Sequence, residues 1–98
     1  MRLAAGNAFD LTATRVQLSY STRRDSLRTI ATAEYRVTVK SAKDSVATVD
    51  VLEERGGEWS VVSSSVPAEK LSSTRVRFRL RVPAQGHAVV TYRIRAVW

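Results

Sequence analysis

Apolar residues recur at every second position through most of this chain, the signature of β-strands with one dry face and one wet face. The clearest run is about Leu27–Lys40. There Ala31, Ala33, Tyr35, Val37 and Val39 alternate with Thr32, Glu34, Arg36, Thr38 and Lys40. Such a run predicts a half-buried antiparallel strand. Before it, about Asp10–Tyr20 sets Leu11, Ala13, Arg15 and Gln17 against Thr12, Thr14, Val16, Leu18 and Tyr20. The second set becomes more apolar toward Tyr20, so that end is expected to reach the core. Ser21–Ser26 reads as a polar connection.

A third strand is expected at about Ser45–Glu53, with Ala47, Val49 and Val51 on one face. Glu53–Glu58 then reads as a hairpin tip in which Gly56 and Gly57 supply positive φ. Trp59–Ser63 would return from it as a short fourth strand. Ser63–Lys70 reads as a loop, and Pro67 argues against a central strand there. In about Thr74–Val82, Val76, Phe78, Leu80 and Val82 alternate strictly with Arg75, Arg77, Arg79 and Arg81. Pro83–Gly86 makes the next turn. The last strand, about His87–Val97, sets Ala88, Val90, Tyr92, Ile94 and Ala96 against His87, Val89, Thr91, Arg93 and Arg95. No stretch carries an apolar stripe at helical spacing, so almost no helix is expected.

Six or seven short strands in 98 residues predict an all-β chain, an immunoglobulin-like antiparallel β-sandwich, with a small barrel as the other architecture. The length suits one domain, residues 1–98. Its core is expected from Tyr35, Val37, Val39, Val49, Val51, Trp59, Val76, Phe78, Leu80, Val90, Tyr92 and Ile94. Hydrophobic residues at 44% and charged residues at 26% are ordinary globular values and exclude a long disordered tail. The absence of cysteine excludes a disulfide scaffold and a thiolate metal site. Apolar runs fall short of the roughly 18–20 residues of a membrane span, so the isolated domain is expected to be soluble. Met1–Gly6 is too short in apolar residues to be a signal peptide.

Several segments resemble a known family. They are Gly6–Leu11, Tyr35–Asp44, Ser45–Val49, Val82–Gly86 and Thr91–Arg95, with Trp98 at the end. In this order they resemble the C-terminal region of the bacterial DUF4139 family, relatives of the mucoidy-inhibitor proteins. Those proteins carry a Gly-Asp-Ala-Phe-Asp element, and Asn7 here replaces its first Asp. The likeness covers nearly the whole chain. It implies a C-terminal module of a longer, envelope-associated or exported bacterial protein. It transfers no catalytic residue. Read by itself, the Gly6–Asp10 element is turn chemistry: Gly6 and Asn7 make a turn, Phe9 anchors the first strand, and Asp10 accepts backbone N–H bonds.

Catalytic and metal chemistry find little support. His87 is the only histidine, and no Gly-x-Ser-x-Gly elbow accompanies it. Zinc needs three or four ligands, and one His without Cys does not supply them. Gly56-Gly57 lacks the Lys-Ser/Thr of a phosphate loop. Asp50, Glu53, Glu54 and Glu58 match no calcium-loop spacing and are expected to form a solvated hairpin tip. No enzyme activity, cofactor or metal is therefore expected.

Charge is the strongest remaining feature. The formal net charge is +7, with thirteen Arg and three Lys. Residues 71–98 hold six Arg and no acid, whereas residues 44–70 hold six acids against Arg55 and Lys70. Arg75, Arg77, Arg79 and Arg81 must share one face of one strand, about 6.6–6.8 Å apart. Arg93 and Arg95 join them if the last strand lies in the same sheet. If the Pro83–Gly86 corner crosses between sheets, two separate basic faces result. The expected function is a non-enzymatic structural or protein-interaction module. Its partners would be other domains of the parent chain or another protein. The alternative is polyanion binding through the Arg-rich face, nucleic acid included. The aromatic rings Phe78 and Tyr92 fall opposite the Arg side chains, so base stacking would not contribute.

Overall fold

Period-two alternation becomes strand almost throughout the computed structural model, which describes residues 2–4 by their backbone and residues 10–98 in full. The strands are β1 (Arg2–Ala4), β2 (Leu11–Asp25), β3 (Arg28–Ser41), β4 (Ala47–Glu54), β5 (Glu58–Ser64), β6 (Ala68–Lys70), β7 (Arg75–Val82) and β8 (His87–Val97). A long sheet has the order β2-β3-β8-β5. A short sheet holds β4, β7 and β6, with β1 paired on the free side of β4. All pairings are antiparallel, and the two sheets pack together as a β-sandwich-like arrangement. Gly6–Phe9 of the turn element lie outside the described residues.

The core follows the alternation. Tyr35, Val37 and Val39 of β3 meet Val90, Tyr92 and Ile94 of β8 on the inner face of the long sheet. Val49, Val51, Val76, Phe78, Leu80 and Val82 close over them from the short sheet. Phe78 stacks on Tyr92 across the sandwich with ring centroids 4.6 Å apart, and Tyr35 lies 5.7 Å from Tyr92. Each such pair adds about 0.5–1.5 kcal/mol beyond its buried area. Trp59 is only half-buried at the margin of this core, its Nε1 donating to the Ser73 carbonyl at 3.2 Å.

Four expectations need correction. Ser21–Asp25 is strand, not connection, and the β2–β3 turn is the two-residue loop Ser26-Leu27. Ser26 has φ 55°, and a positive φ at the first loop residue alone fits a type II′ turn. The Tyr20 end does not reach the core. A bulge at Leu18 shifts the register, so Val16 faces outward and Tyr20 shares the inner face with Ala33. The short sheet ends before that point, and Tyr20 stays 56% exposed.

The third correction concerns β4 and β5, which are not a hairpin. Both edges of β4 are taken, by β1 and β7, so the chain crosses at Gly56-Gly57 and β5 pairs with β8 instead. Gly57 does supply the positive φ, +80°. Fourth, the expected loop contains β6, a short edge strand on β7 that begins right after Pro67.

Candidate functional site

The six predicted arginines do not form one face. Gly86 N–H donates to the Pro83 carbonyl at 3.1 Å, and Gln85 takes φ 48°. Gln85 is held from both sides, its Nε2 on Asp44 Oδ1 at 2.8 Å and its backbone N–H on the Lys43 carbonyl at 2.9 Å. This corner carries the chain from the short sheet to the long one. Arg75, Arg77, Arg79 and Arg81 therefore face outward from the short sheet, and Arg93 and Arg95 face outward on the opposite side of the molecule.

Register then decides what the ladder meets. Glu54, Leu52, Asp50 and Thr48 of β4 stand opposite Arg75, Arg77, Arg79 and Arg81, and Glu69 of β6 stands opposite Arg77. Arg75 Nε lies 3.0 Å from Glu54, and Arg79 Nε lies 3.0 Å from Asp50. Arg77 sits between Glu69, 2.5 Å away, and Asp50, 3.8 Å away. The Arg77 hydrogen bond holds the Glu69 carboxyl below its ordinary range, and the bond to Asp50 raises Arg79. Most of these side chains lie at the surface, where water screens an ion pair, so the pairs add little to stability. Their consequence is electrostatic: three of the four ladder arginines are neutralised within their own sheet. Arg81, opposite Thr48, has no acidic partner among the described residues.

The opposite face has the larger surplus. On the outward side of the long sheet, Arg93 pairs with Glu34 at 2.8 Å and Arg28 with Glu58 at 3.3 Å. Arg23, Arg36, Lys40 and Arg95 share that side and have no acidic partner among the described residues. His87 stands there too, opposite Lys40, exposed at the start of β8.

One polar cluster was not anticipated. Glu53 was expected at a solvated tip, but it is 1% exposed. It occupies the inward position that follows Val49 and Val51 by the same period of two. The Tyr92 hydroxyl donates to it across the sandwich, and Arg15 of β2 lies 3.2 Å away. The Arg15 guanidinium also sits 3.9 Å over the Tyr35 ring, whose hydroxyl accepts from Arg55 at 3.0 Å. Burial, then the bond to Glu53, pushes the Tyr92 hydroxyl far above its ordinary value. A carboxylate buried this way is tolerable only because cation and hydroxyl meet it. The cluster pins β2 and β8 to β4. The other acids, Glu54 and Glu58, are exposed and engaged with Arg75 and Arg28.

Among the described residues, no group of three or more His, Asp or Glu is placed to hold a metal ion. No family model, no curated protein and no solved structure matches the chain.

Proposed function

We propose that this chain is a non-enzymatic interaction module that docks a strand of another protein along β2. One observation carries the reading. Val16–Asp25 is a run of ten consecutive exposed residues on an edge strand of the long sheet. Among the described residues no strand pairs with its outer backbone groups, which suits strand addition, the mode in which main-chain bonds give affinity and alternate side chains give specificity. The Leu18 bulge and the charges of Arg23 and Arg24 discourage indiscriminate flat pairing. They favour a partner strand that is acidic opposite the arginines and apolar near Leu18 and Tyr20.

The strand order supports the finer fold reading, an immunoglobulin-like sandwich. In that fold a sheet ordered A-B-E-D packs on one ordered C-F-G. Here β1-β4-β7-β6 takes the first set of places and β5-β8-β3 the second. The G position is thus filled by β3, an earlier segment of the chain, and β2 is an added edge. The parent we propose is a bacterial envelope-associated protein of the kind the DUF4139 resemblance implies, with this module docking against its other domains or a second protein.

The test is selection of extended peptides from a displayed library on the domain. Binders should protect amides of Val16–Asp25 from hydrogen exchange and lose affinity about tenfold or more in Leu18→Lys/Tyr20→Lys. Binders that protect a different surface, or no binders at all, sink the reading.

A further inference from the structure

We infer that the outward face of the long sheet binds single-stranded nucleic acid through its phosphates. This surface adjoins the β2 edge that would receive a protein strand, sharing Arg23 with it, and lies on the other sheet from the Arg75–Arg81 ladder.

The cations of the two sheets differ in how many already have acidic partners. On the short sheet, Asp50, Glu54 and Glu69 neutralise Arg75, Arg77 and Arg79. On the long sheet, Arg23, Arg36, Lys40 and Arg95 remain unpaired among the described residues. Arg36 of β3 stands opposite Thr91 of β8, and Arg95 stands opposite Thr32. Neighbouring strands are about 4.8 Å apart and alternate residues about 6.7 Å, so Arg36, Arg93 and Arg95 form one compact diagonal.

The chemistry of this face favours phosphate. Three of the four unpaired cations are arginines, whose planar forks bind phosphate oxygens in pairs. Hydroxyls flank the cations, Thr38 and Thr91 beside Arg36 and Ser60 and Thr32 beside Arg95, while Glu34, engaged with Arg93, stands between the two groups. Hydroxyls of this kind also donate to phosphate oxygens. Among the described residues no aromatic residue holds an outward register position between the cations, so recognition would run along the backbone without reading bases.

The experiment is fluorescence anisotropy with labelled oligothymidylate and the whole 98-residue chain. Four unpaired cations predict a log–log salt slope of about −3, a loss of about 50-fold between about 50 and 200 mM salt. Arg36→Glu/Arg95→Glu should weaken binding at least tenfold and flatten the slope by about 1.4. Both side chains are exposed and have no acidic partner among the described residues, and circular dichroism will show that the variant folds. Arg81→Glu, an unpaired arginine on the other sheet, should bind as the parent does. Absent binding at low salt overturns the inference. So does equal loss in Arg81→Glu, or full retention in the double variant. Competition by polyglutamate as strong as by unlabelled oligothymidylate would also overturn it, because the face would then select charge and not phosphate.

Discussion

At the scale of single residues, the decisive group is Glu53. Its carboxylate is buried, accepts from Tyr92 and faces Arg15 at 3.2 Å. Tyr92→Phe removes only the donor and leaves a buried acceptor short of a partner. The expected cost is about 1–3 kcal/mol near neutral pH, read from urea unfolding. The same hydroxyl sets the alkaline limit. Its folded pKa is raised above the unfolded value of about 10, so its contribution is complete below that pH. Above about pH 10 the unfolded state releases the proton first, and stability falls as pH rises further. Tyr92→Phe should flatten that alkaline decline; an unchanged slope would show that other groups cause it. Glu53 was partly legible in the sequence, since it continues the inward phase of Ala47, Val49 and Val51. It reads as a tip residue because its neighbours Glu54, Arg55, Gly56 and Gly57 are turn-like. Only the third dimension brings Arg15 and Tyr92 to it, from positions 38 and 39 residues away.

At the scale of elements, turns decide which sheet each strand joins, and two of them are tight. A Cβ on Gly86 would meet Pro83 Cγ at 2.7 Å, within a rigid ring, at the corner that carries the chain between sheets. The Gly86 carbonyl also accepts from Ser41 N–H at 2.8 Å, tying β3 to the same corner. Gly86→Ala should therefore cost about 1–3 kcal/mol of unfolding free energy, as overpacking does. Ser26, at φ 55°, is the opposite case. Ser26→Gly relieves a left-handed strain that exceeds the entropy added to the unfolded chain, and should stabilise by about 0.5 kcal/mol. A destabilised Ser26→Gly would mean that the turn draws on the serine side chain. The strands themselves were legible from alternation, β7 almost to the residue. Pairing partners were not. The Gly56-Gly57 turn suits a hairpin as well as a crossing, and only the competition of β1 and β7 for the edges of β4 selects the crossing.

At the scale of the whole molecule, the two sheets differ in length, and that difference organises exposure. β2 and β3 run 15 and 14 residues, whereas β4 and β7 run 8. At about 3.4 Å per residue the long strands span nearly twice the length of the short ones. The chain is accordingly elongated, 53 × 25 × 20 Å. The short sheet covers one end of the long one, and the β2–β3 turn lies at the other. Leu27 at that turn is 92% exposed, and Trp98, whose backbone pairs with Thr29, is 64% exposed. Stability must be distributed to match. Amides of Val37, Val39, Val90 and Tyr92, under the short sheet, should exchange only with global unfolding. Amides of Val16–Asp25 that do not bond to β3 should exchange without protection, and those that do should open with a much smaller free energy. Native-state hydrogen exchange measured against denaturant separates the two cases. If β2 amides merge with the global isotherm at low denaturant, the edge is as rigid as the core and is unsuited to accept a new strand. If they open alone, the strand that the proposed partner must join already breathes while the sandwich beneath it stays folded.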